Sequence, residues 1–232
     1  MDLLLLSSSR AGNSDYLETA QNAIYTHLSD CTNIVFVPYA GVTMSYNDYT
    51  KKVQNALPEL SIKGLHEWEQ PLEGIQQADA ILVGGGNTFH LLHCLYQFNL
   101  VNSIREKVKL SMKYVGWSAG SNVAGNSIRT TNDMPIIEPE SFTALALVPF
   151  QINPHFTDYQ PPGHNGETRA ERLAEFMVVN PEMPILAIPE GVGLKASQGN
   201  YSLVGEGESF VFKAGEQKVV ANDAMLAELL AC

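Results

Sequence analysis

Short apolar runs bounded by turn-forming residues recur along the first two thirds of the chain, at residues 3–6, 34–37, 80–83 and 114–117. Their length and the absence of polar alternation are those of strands buried on both faces. Between them, residues 16–28, 46–57, 88–98 and 104–112 carry helical spacing, with apolar positions gathered on one side. Buried strand, amphipathic helix and buried strand in repetition predict right-handed βαβ crossovers. The expected class is α/β, a mostly parallel sheet flanked by helices.

After Phe150 the texture changes. Asn153-Pro154 and Pro161-Pro162-Gly163 mark a loop, and a helix is expected over about residues 167–178. From Ile185 onward short apolar segments alternate with Gly-containing turns, which predicts strands and hairpins. No repeat or low-complexity linker interrupts the chain, so this tail is expected to complete a single domain spanning residues 1–232.

Of the 232 residues, 45% are hydrophobic and 17% charged; disordered chains are poorer in the first and richer in the second. The net charge of −11 is spread out, and no run of Lys or Arg offers a phosphate-binding stripe, so nucleic acid is not an expected partner. The apolar N-terminal run lacks a basic flank and is too short for a signal peptide, and no segment reaches the roughly 18 apolar residues that span a bilayer. Three widely spaced cysteines, Cys31, Cys94 and Cys232, fit reduced thiols in the cytoplasm better than a disulfide framework.

The sharpest chemical feature is Gly116-Trp117-Ser118-Ala119-Gly120, directly after the run 114–115. In a G-x-S-x-G turn from strand to helix the serine is forced into a strained conformation, its hydroxyl is lifted clear of the sheet, and glycines leave room for neighbouring chain. The plainer alternative is a serine that caps the helix. A serine needs a base. Of six histidines, His27 and His66 sit in segments that look structural, and His164 lies in the Pro/Gly-rich loop. His90 and Cys94 share a helix face but lack further ligands, so neither a metal nor an organic cofactor is expected. His155, in Gln151-Ile152-Asn153-Pro154-His155-Phe156-Thr157, is the favoured base because Pro154 fixes the backbone before it.

Two acids compete to orient that imidazole. Asp133 follows the nucleophile segment in a polar loop, whereas Glu190 ends a strand, where residues converge on one edge of a parallel sheet, so topology leans toward Glu190 while both stay open. Gly84-Gly85-Gly86-Asn87-Thr88 follows another buried run and opens a helix. In a hydrolase Gly86 and Ala119 would donate the oxyanion N–H groups. The rival is phosphate binding, although Phe89 stands where a third dinucleotide-loop glycine would fall.

Together the Leu-rich first strand with Ser7-Ser8-Ser9, the 84–88 loop, the 116–120 elbow, Arg129-Thr130-Thr131-Asn132-Asp133-Met134-Pro135 and residues 151–157 resemble the peptidase E, or aspartyl dipeptidase, family. The resemblance extends to about Phe212. It implies a class I glutamine amidotransferase-like (flavodoxin-like) fold and a cytoplasmic serine peptidase that cleaves dipeptides with an N-terminal L-aspartate. Amidotransferases carry cysteine at the elbow, and Ser118 disfavours their reaction. The resemblance makes His155 the base and matches both Asp133 and Glu190 to positions proposed for the third member.

A pocket for an aspartyl side chain calls for a guanidinium, which pairs with carboxylates in a two-pronged geometry. Arg129, Arg169 and Arg172 are the candidates, and the resemblance points to Arg169. The expected partner is thus a small Asp-Xaa peptide, with no membrane partner; the oligomeric state stays open, a monomer included. A cyanophycinase-like hydrolase of aspartyl polymers, a nucleotide- or metabolite-binding module built on residues 84–86, and an α/β-hydrolase esterase are the alternatives.

Overall fold

Successive leucines of β1 (Asp2–Leu6) enter two different cores: Leu3 and Leu5 pack on one face of the sheet, Leu4 and Leu6 on the other. The same division runs through β2 (Ile34–Val37) and β4 (Ala80–Val83). Neither face of these strands meets water, which is why they read as unbroken apolar runs. The computed structural model describes residues 1–163 and 165–231; His164 and Cys232 lie outside the described residues.

Two sheets carry the chain. The first has the order β3-β2-β4-β5-β1-β8-β9, with β3 at Ile62–Gly64, β5 at Lys113–Trp117, β8 at Gly193–Ser197 and β9 at Asn200–Val204. Its first five strands are parallel, and β8 and β9 extend it antiparallel beside β1. The second, of order β11-β10-β7-β6, comprises β6 (Gln151–Asn153), β7 (Ile185–Ala187), β10 (Phe210–Lys213) and β11 (Glu216–Val219). There β6 and β7 are parallel and the rest antiparallel. Leu186 and Val211 of this sheet share a core with Leu3 and Leu5 of the first. The expected hairpins of the tail are therefore divided between two sheets.

The helices are α1 (Gln21–His27), α2 (Tyr46–Ala56), α3 (Pro71–Gln77), α4 (Thr88–Gln97), α5 (Leu100–Leu110), α6 (Ala119–Asn122), α7 (Arg169–Val179) and α8 (Asp223–Leu230). The helix expected over residues 16–28 starts late. Leu17 sits at φ 60° with its N–H on the Ser9 carbonyl, and a short 3-10 turn, Glu18–Ala20, precedes α1. The helix expected from residue 104 starts earlier, at Leu100, divided from α4 by Asn99 at φ 55°, a left-handed position that asparagine tolerates. Thr168 caps α7 and closes a capping box with Glu171, so that helix begins at Arg169 rather than residue 167. Its Leu173 and Met177 pack with Phe156, Phe210 and Phe212 of the second sheet's side.

Candidate active site

The elbow follows from crowding at the end of β5, which is flanked by β4 and β1. A Cβ on Gly116 would lie 2.5 Å from the Gly120 carbonyl oxygen, and one on Gly120 would lie 2.1 Å from that of Val83. No side chain fits at either position. Ser118 takes φ 53°, ψ −114° and makes no side-chain cap bond to α6, which removes the helix-capping alternative. That backbone is strained for a residue with a Cβ and is held by its surroundings. The Ser118 N–H donates to Leu6 O at 3.1 Å, and the Ser121 hydroxyl is within 2.6 Å of Leu6 O and 2.9 Å of Gly116 O.

From the second sheet come the histidine and one acid. After β6 and Pro154, His155 adopts φ 54°. Its N–H donates to Ser7 Oγ at 2.7 Å, and that hydroxyl donates to Ile188 O at 2.9 Å. Ser7, buried at the end of β1, thus ties the histidine to the first sheet. The imidazole lies with Nε2 2.9 Å from Ser118 Oγ and Nδ1 2.9 Å from Glu190 Oε1. The hydrogen-bond pattern assigns the neutral tautomer in which Nδ1–H donates to Glu190 and Nε2 accepts from Ser118. The Glu190 side chain is 55% exposed, so water screens this contact, and orientation rather than stability is what it supplies.

The two acids that the sequence leaves in competition occupy different places. Asp133 does not reach the imidazole; its Oδ2 accepts from the Thr88 N–H at 2.7 Å and from Thr88 Oγ1 at 2.5 Å. It therefore caps the first turn of α4, where an anion is favoured. A dinucleotide-binding loop would hold its phosphate at such a helix start, and here a carboxylate fills it. The glycine loop instead lies against the elbow: a Cβ on Gly85 would stand 2.9 Å from Ser118 Cβ, and Gly86, at φ 140°, could carry none without striking Ala40 O. Among the described residues, the N–H groups of Gly86 and Ala119 donate to no protein acceptor.

Arg169 opens α7 and lines one cavity with Ser118, His155, Asp133 and Glu190. Its Nη1 is buried without a hydrogen-bond partner. Burial lowers its pKa and the charge of Arg172 lowers it further, against the opposing pull of Glu190 and Asp133. Arginine stays charged nonetheless, so a cation without a direct partner at Nη1 lines the cavity. A second cavity meets the first at Ser118 and His155 and is walled by Tyr16, Val42, Met44, Tyr49 and Trp117.

The remaining described histidines stand apart. Burial lowers the His27 pKa to about 4. His66 contacts Asn47, His90 the Tyr39 carbonyl and His93 the Glu138 carbonyl. Neither Arg129 nor Arg172 lines either cavity. Among the described residues no cluster of three or more His, Cys, Asp or Glu could hold a metal, and no helix is long and apolar enough to cross a membrane. Sequence reasoning gave no role to Ser7 or Thr88. The only local hint of either was a hydroxyl directly after an apolar run or at a helix start.

A serine hydroxyl at an elbow, joined through an imidazole to a carboxylate at the ends of parallel strands, is the constellation of serine-type hydrolases. The chain belongs to peptidase family S51, whose sequence profile matches residues 3–204. It is 54% identical over 230 residues to Peptidase E of Shewanella amazonensis (strain ATCC BAA-1098 / SB2B), covering 98% of each chain. To Peptidase E of Shewanella putrefaciens (strain CN-32 / ATCC BAA-453) it is 53% identical over 220 residues, 94% of this chain and 93% of the relative. Two crystal structures share the fold: a peptidase from an acI-B1 Actinobacterium (TM-score 0.69, 16% identity, 95% of this chain and 94% of that one), and a putative peptidase E protein from Listeria monocytogenes EGD-e (TM-score 0.66, 20% identity, 89% and 98%). The chain is a serine-type dipeptidase of this family, a hydrolase of peptide bonds.

Proposed function

We propose that the enzyme hydrolyses dipeptides bearing an N-terminal L-aspartate, with Ser118 as nucleophile, His155 as base and Glu190 as the group that orients it. The observation that carries the substrate class is Arg169 on the wall of the cavity beside Ser118, with its Nη1 buried and unpartnered. A guanidinium N–H group withdrawn from water without an acceptor is costly until an anion such as a carboxylate pairs with it. The β-carboxylate of an N-terminal aspartate fills that role when its peptide carbonyl rests on Ser118.

In this mechanism His155 Nε2 takes the hydroxyl proton as Ser118 Oγ attacks the carbonyl carbon, and the Gly86 and Ala119 N–H groups receive the oxyanion. The protonated imidazole, held by Glu190, gives its proton to the departing amine. Water, deprotonated in turn by His155, then cleaves the aspartyl ester and restores Ser118. The described residues of both sheets act as one catalytic domain. The unpaired thiols of Cys31 and Cys94 support a cytoplasmic location.

The test is release of free aspartate from Asp-Leu, Glu-Leu, Ala-Leu and β-Asp-Leu, by the wild type and by Ser118→Ala, with and without a chelator. Cleavage of Asp-Leu alone, lost in Ser118→Ala and indifferent to chelator, is the expected result. Activity that survives Ser118→Ala, or equal cleavage of Ala-Leu, contradicts the proposal.

A further inference from the structure

We propose that Ser7 is a positioning residue for the catalytic base, and that Ser8 beside it serves the turn carrying the carboxylate that orients that base. This rests on the reading of Ser118, His155 and Glu190 as the catalytic triad. Those three groups stand on separate elements: the end of β5, the chain after β6 and the turn after β7. Three consecutive residues where β1 ends bond to each of these segments in turn. Leu6 O accepts from the Ser118 N–H at 3.1 Å. Ser7 Oγ accepts from the His155 N–H at 2.7 Å, and Ser8 Oγ accepts from the N–H of Gly191, the neighbour of Glu190, at 3.3 Å.

His155 needs such a support because its own sheet leaves it unpaired. In a regular parallel rung Ile188 would bond Asn153 on one side and residue 155 on the other. The Ile188 N–H does reach Asn153 O, at 3.1 Å, but its carbonyl receives the Phe156 N–H instead, at 3.0 Å. His155 is therefore an extra residue in the rung, as in a bulge, and a bulge re-aims the side chain it carries. Its φ of 54° is unfavourable for a residue with a Cβ and persists only where the surroundings hold it. The N–H left over goes to Ser7 Oγ, whose own proton goes to the same Ile188 carbonyl at 2.9 Å. One hydroxyl thus closes the gap in the rung, and Ser7 is wholly buried, so bulk water does not compete for either bond. Glu190 rides on a turn over residues 189–192, closed by the Val192 N–H on Pro189 O at 3.2 Å. That turn docks on the end of β1 through the Ser7 N–H to Val192 O at 2.8 Å and through the Ser8 contact to Gly191. The two 2.9 Å contacts of the imidazole, to Ser118 and to Glu190, are thereby registered on a single short stretch of chain.

The experiment measures kcat and KM for Asp-Leu in the wild type, in Ser7→Ala, in His155→Ala and in the double variant. Ser7→Ala removes the acceptor behind His155 but no group that lines either cavity, so kcat should fall by about 10- to 100-fold, the scale on which a displaced catalytic group costs rate, while KM changes by less than about threefold. In the His155→Ala background the same substitution should change the residual rate by less than about twofold, because groups that act as a unit do not add. A hydroxyl that only stabilises the fold would lower both backgrounds by the same factor, and that outcome overturns the proposal. A Ser7→Ala enzyme within about twofold of the wild-type kcat overturns it as well. Should Ser7→Ala fail to fold, as read by circular dichroism, Ser8→Ala decides: it should cost about 3- to 10-fold in kcat and nothing further when added to Glu190→Gln. No loss, or an equal loss in both backgrounds, overturns the proposal. If His155→Ala or Glu190→Gln keeps wild-type activity, the triad reading is what fails, a result separate from any of these.

Discussion

The two cavities that meet at Ser118 and His155 enclose the same volume, about 670 Å³ each, but their walls are opposite in character. One holds Arg169, Asp133 and Glu190. The other is faced by Tyr16, Trp117 and the exposed side chains of Val42 (49%), Met44 (38%) and Ile136 (54%). On the proposed reading the first recognises by fixed charge, which rejects a wrong group steeply; the second, although Lys52 also lines it, offers mainly apolar contact, which discriminates shallowly. A dipeptide across the nucleophile would thus be selected sharply at its first residue and loosely at its second. The size of each effect measures which cavity is responsible.

The largest expected effect comes from what the cavities share. Ser118→Ala should lower kcat on every substrate by about 10⁵-fold or more, read as aspartate release from Asp-Leu. Glu190→Gln keeps the shape but weakens the hold on the His155 tautomer, and should cost about 10³-fold in kcat, somewhat less than for a fully buried triad acid because this carboxylate is half exposed. That loss should be uniform across dipeptides, since in the proposed mechanism the residue serves the proton and neither subsite. A loss confined to Asp-Xaa substrates would instead move Glu190 into the recognition wall.

Subsite changes should be selective. Arg169→Gln should reduce kcat/KM for Asp-Leu by about 10³-fold while leaving any slow cleavage of Ala-Leu unchanged, because only the former loses a charge-assisted pair. Met44→Ala should have the smallest effect: less than about tenfold in kcat/KM for Asp-Leu and little for Asp-Ala, the amount a few buried methylenes are worth. Equal losses on both substrates would mean that the apolar cavity does not hold the second residue.

How much of this could be read from the sequence depended on how local each cause was. The elbow was legible because its glycines answer to crowding within five positions and to one neighbouring strand. Pro154 announced the restricted backbone of His155. Topology leans toward Glu190 over Asp133 without closing the choice, because the His155–Glu190 contact depends on β6 pairing with β7 in a second sheet whose strands look like ordinary hairpin pieces. Ser7 was invisible as a support, since its contact to His155 joins residues 148 positions apart. Elements such as β3 and α8 give no sequence signal because each is too short, or too evenly apolar, to show a period. Helix α1 starts later than its spacing suggests because Tyr16 and Leu17 fit the helical period while the chain there folds back on Ser9.

The proposed selection of aspartate rests on Arg169, whose Nη1 is buried without a hydrogen-bond partner. It is tested most directly by the wild-type kcat/KM for Asp-Leu against Asn-Leu, two substrates alike in shape that differ by one charge. A preference of about 10³-fold or more for Asp-Leu is expected if Arg169 must pair with a carboxylate; comparable values for the two dipeptides would contradict the account.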